Sequence, residues 1–464
     1  MTDALALLPP IAAAGLLLRG HRPTLAALVA YVFGLALLVA FPTPLARLLR
    51  AEWQALLTAI EVCAIILGGI TFDELTRRSG TTVSIGAWLR ATTSDATHAA
   101  LLIVLGLTPF FESITGFGVG AVIAVSLLRT IGFGGFKLGA LGLLGLVTVP
   151  WGALAPGTLV AARLADLSFQ ALGIMSAALS LPVFLVAGWT ALILAAGWLT
   201  TLRRWSLVLR GALSLWLGIL AANTLLGTPL AGALGSLLAI VALAWPLRTR
   251  GISRQQARAM LPYAVLVALL ILGRVAATLV AAWSVRAAAV LASPIPALAL
   301  TCAGLLWHTY ERDRSHAWLI TIWQRWRPVA LTTLLFVLLG GVMVASGMAT
   351  ALARLVASFG PAYVGLAPWL GGLGGFLTGS NTGANAMFAT AQAQAARALG
   401  LQPLLIVAAQ NVGAALFTMA SPPRVSLALS LLDPAERDRR VGHLALLVDG
   451  LAAALLSLVL LGIA

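Results

Sequence analysis

Ser380, Asn381, Thr382 and Asn385 sit together in Gly374-Gly-Phe-Leu-Thr-Gly-Ser-Asn-Thr-Gly-Ala-Asn-Ala-Met-Phe388, inside otherwise membrane-length apolar sequence. Their hydroxyl and amide groups can orient a small polar solute, and Gly379 and Gly383 let the backbone leave helical geometry and approach a ligand closely. In hydrocarbon, backbone groups freed in this way are tolerated only where they are buried in protein or line a wet cavity. The stretch therefore predicts a helical hairpin that dips into a membrane and binds something at its tip. A second stretch, Pro109-Phe-Phe-Glu-Ser-Ile-Thr-Gly-Phe-Gly-Val-Gly120, interrupts another apolar run and carries Glu112, Ser113, Thr115 and Gly116.

A small anion needs donors that are cheap to desolvate, and half-helix N-termini supply them through unpaired N–H groups and the positive dipole end. Ser113, Thr115, Ser380, Asn381, Thr382 and Asn385 would add side-chain bonds that fix orientation. The competing reading is that these are small residues for tight helix packing. Glu112 sits at a hairpin break, where a charge at the bilayer centre costs about 2.5–3.5 kcal/mol on insertion scales. It is a candidate proton carrier coupled to an anion, or else a structural acid bonded to hairpin backbone. Arg424, after Pro422-Pro423, could contact a carboxylate or snorkel to the interface. Arg274 reads as a pairing or interfacial residue, and Glu61 as a second intramembrane acid, open to pairing with an arginine. Gln410 and Asn411 lead into the break before Arg424 and could line the same pocket. The histidines, including His98, His308, His316 and His443, show no metal spacing, and no cofactor motif is present.

The elements that must position these groups follow from composition. Of 464 residues, 61% are hydrophobic and 9% charged, with a mean hydropathy of +1.02, too apolar for a soluble core. The expectation is an all-α polytopic membrane protein. The net charge of +15 comes from arginines clustered between apolar runs, with Lys137 the one lysine, which is a topology signal and not a nucleic-acid face. Cys63 and Cys302 are far apart in apolar sequence and suggest neither a disulfide nor a metal site. Met1 to Leu18 lacks a basic leader, so no cleaved signal is expected.

With about 20 apolar residues per span, runs near 4–18, 24–41 and 53–72 give three spans. A mixed segment, 81–98, should lie along the interface. A hairpin follows near 99–130, then a helix broken at Pro150-Trp-Gly-Ala-Leu-Ala-Pro-Gly157 and a long helix near 170–199. A linking pair near 206–226 and 228–247 ends in Arg248, Arg250, Arg254 and Arg258. Spans near 261–283 and 295–310 lead to Arg312, Arg314, Arg325 and Arg327. Beyond these come a span near 328–347, the second hairpin near 361–398, a span near 403–432 broken at Ser421-Pro-Pro-Arg424, and a last helix near 444–463. Counting basic loops as cytoplasmic places both termini outside; Arg47 and Arg50 then fall outside, against the rule. The hairpins insert from opposite sides. This predicts two inverted repeats, 1–200 and 261–464, each with a re-entrant hairpin and a broken helix, joined by a linker at 201–260 in about 12 spans. A shift of about 267 positions lays Ser113, Thr115, Gly116 and Pro156 on Ser380, Thr382, Gly383 and Pro423. Such repeats are the recurrent plan of secondary transporters, with the site at the midplane.

At these residues the chain resembles the lactate permease family of bacterial transporters. The likeness rests on Phe110-Phe-Glu-Ser-Ile-Thr-Gly-Phe-Gly118, on Val147-Thr-Val-Pro150, on Gly375-Phe-Leu-Thr-Gly-Ser-Asn-Thr-Gly-Ala-Asn-Ala-Met-Phe388 and on Met419-Ala-Ser-Pro422. The resemblance implies a proton-coupled symporter of small 2-hydroxymonocarboxylates in a bacterial inner membrane, with Glu112, Ser380, Asn381, Thr382 and Asn385 as site positions. Thr418 stands where the family commonly has a lysine, and Pro423 where it has a glutamine-like residue, so Arg424 could restore the missing charge. Partners would be a small organic anion, a proton, lipid and a second copy in a homodimer; nucleic acid is excluded. The hairpin-bearing unit would slide against a scaffold formed by spans 24–41 and 295–310. A sodium-coupled transporter of another organic anion, such as a dicarboxylate, is the alternative. No paired acids, His–Cys set or metal motif supports an enzyme.

Overall fold

Several helix breaks fall at proline or glycine, as at Gly116, Pro156, Gly197, Gly379 and Pro422, although Pro262, Pro328 and Pro368 lie inside helices. The computed structural model describes residues 2–78, 80–92, 95–245, 253–310, 317–357 and 359–463, and within these it is helical with no strand. Arg248, Arg250, Arg312, Arg314 and His316, and the side chains of Arg90 and His308, lie outside the described residues. Seven helices are long and apolar enough to cross a membrane, or up to ten if each of three bent pairs is one span. Shorter apolar helices such as Pro23–Ala36, Leu181–Ala196 and Thr228–Ala244 fill the space between them. The chain is an integral, polytopic membrane protein.

Two long helices, Leu45–Arg78 and Ala317–Ser346, pack along each other as a crossing pair. Glu52 and Ala55 lie beside Gly341, the Cys63 thiol lies 3.5 Å from the Ala330 carbonyl, and Asp73 bonds Arg325 at 2.7 Å. Residue numbers rise on one helix as they fall on the other, so the pair is antiparallel. Each is flanked by one partner. Pro23–Ala36 packs on Ala317–Ser346, where Thr24 meets Thr332 at 2.9 Å, and Pro294–Tyr310 packs on Leu45–Arg78, where Leu298 lies against Gly68. The expected spans 24–41 and 295–310 thus sit beside the crossing pair.

Both expected hairpins are present. Helices Ala96–Leu102 and Thr108–Thr115, joined by a wide turn at Ile103–Leu107, meet Val119–Thr130 at a tip of Gly116, Phe117 and Gly118, all with positive φ. Tyr363–Thr378 meets Asn381–Ala398 at Gly379 (φ 63°) and Ser380. Gly383 stays helical, and its N–H donates to the Ser380 hydroxyl at 3.2 Å, an N-cap that starts the second arm. The first broken helix runs as Gly135–Leu144, a 3-10 segment at Leu146–Leu154 and then Pro156–Ala165. Its break holds Ala153, Leu154 and Ala155 in the left-handed region, a conformation that costs roughly 1–2 kcal/mol per residue. The second runs as Pro403–Phe417 and Pro422–Ser430.

The long helix expected near 170–199 is instead three pieces, Phe169–Leu179, Leu181–Ala196 and Trp198–Arg203. Pro182 can start a helix but cannot continue one, and Gly197 takes a positive φ. The segment near 81–98 holds a helix at Thr81–Thr92 and the start of the first hairpin.

The second hairpin leans on the second broken helix backbone to backbone. Gly371 and Gly375, one helical turn apart, face the carbonyls of Gln410 and Ala414, and Gly413 faces that of Pro368. A Cβ on Gly375 would fall inside the van der Waals envelope of the Ala414 carbonyl oxygen. Gly375→Val is expected to destabilise the fold by about 3 kcal/mol, the upper end of overpacking penalties, read as a lower melting temperature in detergent.

Candidate functional site

The two hairpin tips and the two helix breaks converge on one cavity of about 290 Å³. Glu112, Gly116, Ser380, Asn381, Thr382 and Arg424 all line it. These residues come from segments up to 312 positions apart, from Glu112 to Arg424, so only the packing of the hairpins on the broken helices unites them.

Glu112 is fully buried and faces two ways. Its carboxylate accepts hydrogen bonds at 3.1 Å from the N–H groups of Gly118 and Gly120, at the start of its own hairpin's second arm. That helix end is therefore filled by the chain's own acid and is not an open seat for a ligand. The other side meets Arg424, with Nη2 at 3.6 Å. Gly118 permits this doubly: its φ of 84° suits glycine, and a Cβ there would collide with the Arg424 guanidinium.

Arg424 follows Pro422 and Pro423 in the second broken helix, and 8% of it is exposed. Its Nη1 is buried and has no hydrogen-bond partner among the described residues. A guanidinium held by a single loose ion pair keeps donors unused, and its planar fork is of the shape that pairs with a carboxylate. Two helix N-termini face the same space. Gly157, in the first turn of Pro156–Ala165, and Asn381 and Thr382, in the first turn of Asn381–Ala398, line the cavity with N–H groups that have no intrahelical acceptor by position. The arrangement can bind one small carboxylate, with the Ser380 and Thr382 hydroxyls beside it for a second polar group.

Asn385 and Asn411 lie behind this wall and do not line the cavity. Asn411 Oδ1 accepts from the amides of Asn381 at 3.0 Å and Asn385 at 2.8 Å; its own amide donates to Thr158 at 3.1 Å and Ser176 at 3.0 Å. Asn385 also donates to the Gly157 carbonyl at 3.0 Å and accepts from Gln410 at 2.8 Å. The network locks the second hairpin to the first broken helix and fixes how Asn381 is presented. Ser113 turns toward Thr148 at 3.4 Å and packs on Gly232, and the Thr115 hydroxyl donates to the Phe111 carbonyl at 2.7 Å. Both are buried outside the cavity wall, as is Gly383.

Sequence reading did not single out Arg22, Thr24, Thr332 or Thr333, which close one side of the cavity. Single threonines in apolar spans carry no local signal, and Arg22 reads as a loop charge. It also passed over Asp449, buried in the last helix, which accepts from the Ala420 N–H at 3.2 Å and so caps the second break. Thr418 is buried there, its hydroxyl donating to the Ala415 carbonyl at 2.7 Å, so it does not replace a cation. Arg274 donates to Gln170 at 3.0 Å, and Glu61 pairs with Arg163 at 3.9 Å, both away from the cavity. Among the described residues no group of histidine, cysteine or acidic side chains could hold a metal ion.

A family model described as L-lactate permease matches residues 4–296 and 290–441. Among curated relatives, the chain is 45% identical over 83 residues to an L-lactate permease of Escherichia coli K12, and 40% identical over 83 residues to the glycolate permease GlcA of the same strain; each match covers 18% of this chain and 15% of the relative. It is 37% identical over 93 residues to an L-lactate permease of Bacillus subtilis, 20% of this chain and 16% of that protein. These alignments span about a sixth of the relatives' length, whereas the family model runs through both hairpins and both broken helices, and on that match the chain belongs to the L-lactate permease family.

Proposed function

We propose that the protein is a secondary active transporter that carries a small 2-hydroxymonocarboxylate, lactate or glycolate, together with a proton by alternating access. The observation that carries this reading is Arg424, a residue of the cavity wall whose buried Nη1 has no hydrogen-bond partner among the described residues and whose Nη2 lies 3.6 Å from the Glu112 carboxylate. Substrate carboxylate and Glu112 compete for one guanidinium. A proton on Glu112 removes the competitor and frees Arg424, so proton and anion each favour the other's binding, which is the linkage a symporter needs. The substrate hydroxyl would bond to Ser380 or Thr382. The names of the relatives, lactate and glycolate permeases, fit a ligand of this size and chemistry.

Sidedness draws support from the ion pairs between distant segments. Arg354 pairs with Asp3, whereas Arg204 pairs with Asp95, Arg129 with Glu436 and Arg325 with Asp73. Each partner in these pairs belongs to a segment that the basic-loop count assigns to the same face, the first pair outside and the other three inside. Both termini are then external, and the cavity, flanked by Arg22 and Pro328, opens to the cytoplasm. The inverted-repeat plan is supported by the crossing helices: Cys63 and Ala330, the pair in contact, differ by 330 − 63 = 267, the offset that relates the two hairpins. Residues in contact with their own counterparts across an antiparallel pair are what a two-fold axis in the membrane plane requires. Elevator-like movement would carry the hairpins and broken helices, tied by the Asn411 network, past the crossing pair.

In proteoliposomes, lactate uptake is expected to follow an inward proton gradient. In Glu112→Gln, which keeps the side chain's shape but carries no proton, gradient-driven uptake should fall about 5- to 150-fold, the scale of a coupling energy of 1–3 kcal/mol. Uptake that follows sodium and ignores pH would replace the proton half of the proposal with sodium coupling. A melting-temperature screen of hydroxy acids and dicarboxylates identifies the preferred anion, because a ligand of the folded state raises its melting point.

A further inference from the structure

A second cleft, of about 280 Å³, lies on the other side of the first broken helix and is lined by Glu61, Ile65, Leu154, Leu159, Arg163 and Ala289 among others. Three of these positions are counterparts of residues that line the central cavity: 289 − 22 = 267, 328 − 61 = 267 and 332 − 65 = 267 relate Ala289 to Arg22, Glu61 to Pro328 and Ile65 to Thr332. The two spaces share a wall. Ala153 faces the cavity and Leu154 the cleft, at adjacent residues of the left-handed turn, and in the next helix Pro156 and Gly157 face the cavity while Leu159, Ala162 and Arg163 face the cleft. Arg163 is the cation of the cleft. Its side chain is 61% exposed and makes a loose pair with Glu61, N to O 3.9 Å.

We propose that this cleft is the opposite-face counterpart of the central cavity, an outer vestibule shut off from the site in this state, in which Arg163, released from Glu61, receives the carboxylate ligand on its way to Arg424. The proposal rests on the transporter reading above. In an inverted repeat, the surfaces of the crossing helices that flank the site on one side of the membrane have equivalents on the other, and those equivalents flank the site in the opposite state. Leu154, 1% exposed, separates the two spaces in this state, and movement of the hairpins and broken helices past the crossing pair would carry the site to the vestibule. Glu61 holds Arg163 while the vestibule is empty and gives it up to an arriving anion, so the pair works as a latch.

The test is the face from which cysteines react. In a Cys63→Ala, Cys302→Ala background, Ile65→Cys and Thr332→Cys are treated with a membrane-impermeant maleimide from either side of oriented vesicles. Ile65→Cys is expected to react from the outer face only, and Thr332→Cys from the inner face only. Adding Glu61→Gln opens the latch and should speed labelling of Ile65→Cys about two- to fivefold, the worth of one exposed ion pair. Reaction of both cysteines from the same face, or no reaction of Ile65→Cys from either face with and without Glu61→Gln, overturns the proposal. Arg163→Gln should raise the external KM for lactate without changing inner-face binding; an unchanged external KM removes Arg163 from the path. If the unaltered protein takes up no lactate, the substrate reading fails, and the labelling pattern still decides the vestibule, because it needs no transported substrate.

Discussion

Arg424→Leu is expected to abolish lactate binding and to destabilise the protein at the same time, and a second substitution should separate the two losses. Removing Arg424 leaves Glu112 buried with no counter-charge, and breaking one partner of such a pair costs roughly 3–5 kcal/mol. Because Glu112 still accepts from the N–H groups of Gly118 and Gly120, the lower end of that range applies. Glu112→Gln combined with Arg424→Leu removes both charges and should recover most of the melting temperature. It should not recover binding. Two charge-assisted hydrogen bonds to a carboxylate, at about 1.5–3 kcal/mol each, correspond to a loss of at least about 100-fold in affinity. Arg424→Lys keeps the charge and loses the planar fork, so its binding should fall between the two. Lactate-dependent melting shifts measured on all three variants check this. If the double variant binds lactate as tightly as the natural protein, Arg424 is only Glu112's counter-ion.

The second large effect belongs to a residue that never meets the ligand. Asn411→Leu should lower stability by about 3 kcal/mol, because the Asn381 amide loses its acceptor and the hydroxyls of Thr158 and Ser176 lose a donor, while the Asn385 amide keeps the Gly157 carbonyl; a buried bond left unmade costs about 1–3 kcal/mol. Leucine has asparagine's branched heavy-atom shape but no donor or acceptor, so most of the cost is the lost network. The variant's melting curve in detergent measures it. Transport should fall in the surviving protein as well, since Asn381 is no longer held at the cavity wall.

The hairpin tips were legible in the sequence because hydrocarbon is an unforgiving solvent. A Gly-Ser-Asn-Thr run inside apolar sequence has no stable place except a break that is buried or wet, and Ser380 and Gly379 occupy such a break. Glu112 was legible for the same reason, although not which of its two readings would hold; it is bonded to hairpin backbone and also set against Arg424 at the cavity. The division of the polar residues between site and support was not legible. Asn381 and Asn385 are one helical turn apart with similar chemistry, yet one faces the cavity and the other is shut in by Gly157, Gln410 and Asn411. Helical periodicity separates faces of a helix, but it does not say which face meets a partner from another part of the chain.

Sequence by itself determined that this chain lives in a bilayer, where its two hairpin tips and two proline breaks lie, and which family it resembles, since each follows from local composition, from the cost of leaving backbone polar groups unpaired in lipid, or from short motifs. Tertiary structure alone decided that Arg424 meets Glu112, that Asn411 ties the hairpin to the first broken helix, and that threonines from two distant spans close the cavity. Those contacts join residues tens to hundreds of positions apart, and their free energy exists only once packing has brought the segments together.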